Sequence, residues 1–187
     1  MKLVETPREK LQLVNCSASH QQGGYPCKHV LKDDSKGWAY GGHVPAWISV
    51  KLEQTAYQVN KIAYKTWNHG DHHPTLIKLE IRNGRGWIQP TWVNVTKPNN
   101  TVFQQSTGKI WLQKKTRDVE IEFDSLDDVT EVKLHVFTSD AGNNNAVIWV
   151  IEVYGTLAVD GYHSHHPAPI GWDHLYILLH SNLYFQD

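Results

Sequence analysis

The segment from Glu131 to Gly155 constrains the fold more than any other part of the chain. Apolar residues alternate with polar or charged ones at 132–136, which is the period of a half-buried strand. A cluster of Ser, Asp, Gly and Asn residues at 138–145 then predicts a loop. The last part, Ala146–Gly155, is apolar almost throughout and rich in β-branched and aromatic residues. It therefore predicts a strand in the middle of a sheet, covered on both faces.

Glu152 is the one charged residue inside this apolar strand. Burying a carboxylate costs free energy unless a cation or several hydrogen-bond donors lie beside it. We therefore expect Glu152 to have such a partner.

The rest of the chain also favours strands over helices, because no segment keeps a helical period over three turns. Further strands are predicted at 11–19, 46–52, 59–67, 75–84, 87–96, 108–114 and 117–125. The Asn83-Gly84 pair is the best hairpin signal in the sequence. This regular spacing predicts an all-β chain, a β-sandwich or jelly roll of about eight antiparallel strands.

Charge and composition argue against several classes of partner. The chain has 18 Lys and Arg against 19 Asp and Glu, and no basic run that would suit a nucleic-acid backbone. No apolar run is long enough to span a bilayer. Residues 1–13 are polar and do not resemble a signal peptide, so the protein stays inside the cell or its signal is absent from this sequence.

Two further features bear on the cellular compartment and leave it open. Cys16 and Cys27 are close in sequence, and either a local disulfide or two reduced thiols fits that spacing. Three Asn-x-Ser/Thr sequons, at 15–17, 94–96 and 99–101, slightly favour an extracellular over a cytoplasmic location.

The order of these segments resembles the discoidin family, also called coagulation factor 5/8 type C domains, which are galactose-binding-like jelly rolls. The resemblance is carried by HVLKDDSKGWAY, AWISVKL, VNKIAYKTW, LIKLEIRNGRGW and VKLHVFTSDAGNNNAVIWVIEVYG, of which IEVYG is the most specific piece. It implies a domain at 11–156, an N-terminal arm at 1–10 and a C-terminal extension at 157–187. Within the extension, 182–186 looks like a protease-cleavage tag remnant, although Ser181 stands where such a tag has Glu. The chain lacks the long-range disulfide of many extracellular members.

The resemblance also implies a structural calcium ion, since many members hold Ca²⁺ beneath the binding face. By position, Asp33 or Asp34 and Glu152 would be the acidic ligands, with Ser35 and nearby carbonyl oxygens beside them. The alternative is that Glu152 forms a salt bridge with Lys36 or another basic residue, while the Asp pair belongs only to a turn.

The resemblance places the ligand site in loops at one end of the sandwich, at 38–45, 68–74, 82–87 and 139–145. The candidate ligand-binding residues are Trp38, His43, His69, Asp71, His72, Arg85, Trp87 and Asn144. Such polar side chains pair with vicinal hydroxyls, and an aromatic ring stacks on the C–H face of a sugar. Residues 67–71 are similar to the fucose-binding branch, but His69 replaces its Arg, so fucose is not predicted. The alternative is a solvated, His-rich loop.

Catalysis is not predicted. The side chains of His69, Asp71, His72 and His73 could ligate a transition metal, but adjacent His72 and His73 would point apart and no closed ligand set is visible. No Ser or Cys lies in a recognisable nucleophile motif. We therefore predict a non-catalytic, calcium-supported, lectin-like module that binds a carbohydrate or glycoprotein, with oligomers supplying avidity. The alternative function is an intracellular protein–protein interaction adaptor.

Overall fold

The computed structural model describes residues 8–33, 36–42, 45–67, 72–98, 102–104, 106–140 and 145–157. A compact unit ends at Leu157, and a second unit runs from Ala158 to Asp187. The predicted C-terminal extension therefore lies outside the described residues, apart from Leu157 itself.

Antiparallel strands make up most of the described chain, which confirms the predicted all-β class. The strands are β1 Glu9–Lys10, β2 Leu13–Ala18, β3 Trp38–Ala39, β4 Ala46–Thr66, β5 Pro74–Asn83, β6 Gly86–Ile88, β7 Val93–Lys97, β8 Val102–Gln104, β9 Lys109–Trp111, β10 Asp118–Ser139 and β11 Val147–Leu157. A short 3-10 helix spans Cys27–Leu31. Within the described ranges, no helix has the length and apolar character needed to cross a membrane.

Two long strands, β4 and β10, pass through both layers of the sandwich. The register of β10 against β4 shifts between Glu122 and Leu126 and again between Val129 and Glu131, where both strands bend. The first half of β4 pairs with β2 and the second half of β10, in what we call layer 1, which also contains β5, β6, β8 and β9. The second half of β4 pairs with β11 and the first half of β10, in layer 2, which also contains β1, β3 and β7.

The prediction that Ala146–Gly155 forms the middle strand is wrong. The middle positions belong to β4 and β10, while β11 lies between β4 and the two-residue strands β1 and β3. Polar residues at the bends interrupt the apolar pattern of β4 and β10, so each was predicted as two shorter strands. Most of β11 is nevertheless buried, which explains its apolar sequence.

The core lies between the two layers and is closed at one margin by a disulfide. Ile48, Leu134 and Ile121 are among its largest fully buried side chains. Cys16 of β2 is bonded to Cys27 of the 3-10 helix, so of the two states that the sequence left open, the structure has the disulfide.

Candidate functional site

Several connecting segments leave the sandwich at the same end. The register sets Pro74 opposite Ser139, and it sets Ile148 opposite both Trp38 and Thr66. The loops that follow or precede these residues therefore lie together. We call this region the loop end, and of the described residues it comprises 19–26, 40–42, 45, 67, 72–73, 112–117, 140 and 145–146.

A buried pair, His73 and Asp140, joins two of these loops. Asp140 Oδ1 accepts the backbone N–H of His73 at 2.9 Å, and Asp140 Oδ2 lies 2.8 Å from His73 Nδ1. Asp140 Oδ2 also accepts the backbone N–H of Lys115 at 3.0 Å, and the backbone N–H of Asp140 donates to the His73 carbonyl. The two side chains are only 4% and 2% exposed. Asp140 therefore fixes three loops with one carboxylate.

The same contacts set the ionisation of Asp140. Burial raises the pKa of this carboxyl, but the hydrogen bonds from the two backbone N–H groups and the His73 ring outweigh it. The pKa of Asp140 therefore lies below its ordinary value, and at neutral pH its carboxylate stays an acceptor for donors from the other two loops. Because an ionised carboxylate only accepts, the His73 Nδ1 atom carries the proton of their hydrogen bond.

Three aromatic rings form a partly exposed cluster beside this clamp. The Trp67 and His72 rings are stacked, with centroids 6.2 Å apart and planes 20° from parallel. The Tyr25 ring lies 6.5 Å from Trp67 at a tilt of 44°. The backbone N–H of Val147 donates to the His72 carbonyl, so the backbone of that residue is held in place.

The loop end also carries polar side chains. The Asn145 side chain donates from Nδ2 to Gln22 Oε1 at 3.3 Å and accepts the Gly41 backbone N–H at 3.3 Å. Tyr25 belongs to the same turn as Gln22, because its backbone N–H donates to the Gln22 carbonyl. The loop end thus combines aromatic faces with amide donors and acceptors.

The predicted ligand-binding residues divide into three groups. His72 lies in the aromatic cluster of the loop end. His43, His69, Asp71 and Asn144 fall outside the described residues. Trp38, Arg85 and Trp87 are described, and the structure does not bring them to this surface.

Trp38 is part of the core and offers no exposed ring. Its side chain is 0% exposed, and its Nε1 donates to the His20 carbonyl at 2.8 Å. This hydrogen bond satisfies the indole N–H, so the ring can be buried without cost.

Arg85 and Trp87 follow the far end of β5. That strand begins at the loop end with Pro74 and runs to Asn83, so the turn after it lies at the opposite end of the sandwich. The expectation that 82–87 joins the other loops is therefore wrong.

Sequence reasoning missed Gln22 and Tyr25 as members of this surface. Both lie in the turn around Gly23-Gly24, which the sequence predicts but does not connect with the other loops. The available signal was the direction of β2, which brings this turn to the same edge as the start of β4.

The cation that pairs with Glu152 is Lys10. The Lys10 ammonium lies 2.7 Å from Glu152 Oε1, while the Tyr154 hydroxyl donates to Oε2 at 2.7 Å. Burial raises the pKa of Glu152, but these hydrogen bonds and the positive charge of Lys10 bring it below its ordinary value. Burial and the neighbouring carboxylate raise the pKa of Tyr154 to about 12.

Glu152 is thus paired with a basic residue, as in the salt-bridge alternative that the sequence left open. Asp33 is exposed, and Asp34 falls outside the described residues. In the described ranges, no group of three or more His, Cys, Asp or Glu side chains is placed to hold a metal ion. Calcium binding by Asp33, Asp34 and Glu152 stays a prediction.

Solved structures share this architecture. The chain is similar to the family 32 carbohydrate-binding module of Clostridium perfringens NanJ in complex with galactose, at 17% identity and a TM-score of 0.61, covering 79% of this chain and 99% of that one. The fold is a galactose-binding-like jelly roll. The CBM32-5 module of C. perfringens GH89, in complex with GalNAc-β-1,3-galactose, has 15% identity and a TM-score of 0.60, covering 80% and 100%.

A third similar structure binds a different sugar. Chitosan-binding module 1 from a chitosanase/glucanase of Paenibacillus sp. IK-5 has 17% identity and a TM-score of 0.56, covering 78% of this chain and 96% of that one. No family model and no curated protein matches the sequence. At these identities the likeness shows the jelly roll, and the discoidin branch stays a prediction.

Proposed function

We propose that this chain is a non-catalytic carbohydrate-binding module whose sugar site is the loop end. The aromatic cluster of Tyr25, Trp67 and His72 carries the proposal, because Tyr25 shares a turn with Gln22, whose side chain is hydrogen-bonded to Asn145. A sugar ring presents an apolar C–H face to an aromatic ring and hydroxyls to amides. Both kinds of partner meet here on one surface.

Hydrogen bonds between the described ends of the neighbouring loops support the same proposal. The Asp140 clamp holds the ends of two loops, and Asn145 is tied to Gly41 and Gln22. Preorganised groups lose little conformational entropy on binding, which suits a small and weakly bound ligand.

The ligand class we propose is a glycan that contains galactose or N-acetylgalactosamine. Two modules of the same fold were solved with such sugars. The low sequence identity leaves sugar preference to experiment, so the test must cover many sugars.

A glycan array tests the function directly, run once with calcium and once with chelator. We expect wild-type protein to bind one class of sugar, and Trp67→Ala to lower its affinity by about tenfold or more, as loss of a stacking platform does. Trp92→Ala is the matched control, because Trp92 is 52% exposed and precedes β7, away from the loop end.

Two outcomes would contradict the proposal. If Trp67→Ala and Trp92→Ala lowered the affinity for the sugar equally, the loop end would not be the binding site. A blank array with folded protein would favour the protein-interaction adaptor, and a pull-down from cell extract would then be the next experiment.

A further inference from the structure

The outer face of layer 1 carries aromatic and charged side chains in aligned rows. The strand register sets Lys51, Glu131, Arg82 and Trp87 in one row, Ser49, Lys133 and Glu80 in the next, and Trp47, His135, Lys78 and Lys109 in a third. The residues between them on each strand, such as Val132 and Leu134, are buried in the core. Because side chains alternate between faces, all these rows lie on one surface, which we call the sheet face.

Cations on the sheet face lie against aromatic rings. The Lys133 ammonium is 3.7 Å from the Trp87 ring centroid and 5.0 Å from that of Trp47, so it lies against both indoles. The Lys109 ammonium is 4.7 Å from the Phe137 centroid. These cation–π contacts hold the rings and the charges in a fixed pattern.

The sheet face is positively charged although the whole chain has a formal net charge of -1. On the described side chains of this face, five cations accompany two carboxylates. The cations are Lys51, Lys78, Arg82, Lys109 and Lys133, and the carboxylates are Glu80 and Glu131.

The two carboxylates are already engaged. Glu80 is held by Lys78 at 2.9 Å and by His135 at 2.7 Å, and Glu131 lies 3.3 Å from Arg82. Lys51, Lys109 and Lys133 have no carboxylate of the described chain within 4.0 Å. Three cations are therefore available for an anionic ligand.

A groove and two exposed indoles complete this surface. The groove has a volume of about 460 Å³, and the residues that line it include Asn15, Ser17, Lys51, Arg82 and Glu131. Trp87 is 36% exposed beside Arg82, and Trp111 is 49% exposed on β9. The sheet face thus combines hydrogen-bonding groups and cations at the groove with exposed aromatic rings at Trp87 and Trp111.

We propose that the sheet face binds an anionic polysaccharide, at a site separate from the loop end. The apolar face of a sugar ring stacks on Trp111, while the carboxylates or sulfates contact Lys51, Lys109 and Lys133, the last of which lies against Trp87. A single sugar would cover only part of this flat surface, whereas an extended polymer meets several rows at once. The proposal goes beyond the proposed function, because it concerns a different face and a charged ligand.

Affinity electrophoresis with defined polymers tests the site. The probes are polygalacturonate, its heavily methyl-esterified form, dextran sulfate with plain dextran, and polyglutamate. We expect wild-type protein to be retarded by polygalacturonate or dextran sulfate and not by their uncharged counterparts. Retardation should fall when NaCl rises from about 50 mM to about 500 mM, because salt screens exposed charges.

Two kinds of variant locate the binding. Trp87→Ala removes the indole that Lys133 and Arg82 contact and so releases the Lys133 ammonium from its fixed position, and we expect the dissociation constant for the anionic polymer to rise about tenfold. The double variant Lys51→Gln with Lys109→Gln, which neutralises two unpaired charges, should give a loss of similar size. Trp92→Ala is the control, and circular dichroism verifies that each variant is folded.

Several results would overturn the proposal. These are equal retardation by polygalacturonate and its methyl ester, equal effects of Trp87→Ala and Trp92→Ala, binding to polyglutamate as strong as to the polysaccharides, or no retardation of the folded wild type. A dimer that Trp87→Ala dissociates, without polymer binding, would make the face a self-interface.

Trp67→Ala separates this proposal from the proposed function. That variant should lose neutral-sugar binding at the loop end and keep binding to the anionic polymer. The proposal for the sheet face and the proposed function can therefore be refuted independently of each other.

Discussion

Among single residues, Asp140 connects separate segments of the loop end through its side chain. Its carboxylate accepts hydrogen bonds from two loop segments besides its own, and it is almost fully buried. Buried charges are stable only when such partners are complete, so loss of the charge leaves several donors unsatisfied.

We expect Asp140→Asn to lower the free energy of unfolding at pH 7 by about 1–3 kcal/mol, since it weakens charge-assisted hydrogen bonds without changing side-chain shape. Urea denaturation measures the change. Asp118→Asn is the control. Asp118 is 46% exposed and lies 3.7 Å from the Lys97 ammonium, and such an exposed ion pair contributes little to the free energy of unfolding. Similar losses in both variants would contradict the role of the clamp.

The pH dependence has a defined sign. The pKa of Asp140 is lower in the folded than in the unfolded protein, so the unfolded state takes up the proton more readily. The stabilisation is complete above the ordinary pKa of about 4 and is lost as pH falls through the lower folded value. Denaturation between pH 7 and pH 3 should show a steeper loss in the wild type than in Asp140→Asn.

Glu152 provides the test for calcium. Melting temperatures are measured for the wild type and Glu152→Gln, each in calcium and in chelator. A calcium-dependent rise in the wild type that disappears in the variant would support the predicted calcium site. Identical wild-type values in calcium and chelator would assign the carboxylate to Lys10 and Tyr154 alone.

At the level of elements, the IEVYG segment owes its glycine to the close approach of β4. The register of β11 against β4 shifts between Tyr154 and Gly155, and at this irregularity the backbone of Gln58 and Val59 packs directly over Gly155. A Cβ atom there would collide with the Gln58 carbonyl oxygen, which belongs to a central strand and cannot move freely.

We therefore expect Gly155→Ala to destabilise the protein by about 1–3 kcal/mol, the usual cost of overpacking, and by more if β11 separates from β4. Gly84→Ala is the control, since nothing lies within 4 Å of a Cβ placed there. Chemical denaturation of the two variants decides the matter, and a Gly155→Ala protein as stable as Gly84→Ala would refute the account.

The sequence predicted element type better than element continuity. Alternation identifies both halves of β4 and of β10, because each half buries one face. It does not show that the two halves form one continuous strand. Polar residues such as Asp127 and Asp128, which lie at the β10 bend, have the sequence character of a loop.

The candidate site was harder to predict for a related reason. The Asn83-Gly84 hairpin was predicted correctly, yet its distance from the loop end depends on the direction of β5, which only the register establishes. Trp38 was predicted to contact ligand because the family resemblance places the loop at 38–45 in the ligand site, but the His20 carbonyl accepts its indole N–H inside the core.

At the level of the whole molecule, β4 and β10 make the two layers one cooperative unit. Each strand contributes buried residues to both layers, for example Ile48 and Ile62 of β4. One layer cannot separate while the other keeps its pairing. We expect the amides of Ile48 and Ile62 to exchange hydrogen with the same opening free energy, equal to that of global unfolding. Native-state hydrogen exchange would contradict this if layer 1 opened at a distinctly lower free energy.

The pairing of β1 with β11 has a consequence for how the domain can be attached. Glu9 lies opposite Gly155, so the polypeptide enters and leaves the jelly roll on adjacent strands, at the end remote from Tyr25, Trp67 and His72. A tether joined directly to Arg8 or to Leu157 would be attached to the domain at that end. Immobilisation of the domain next to either residue would therefore leave the aromatic cluster on the side away from the support.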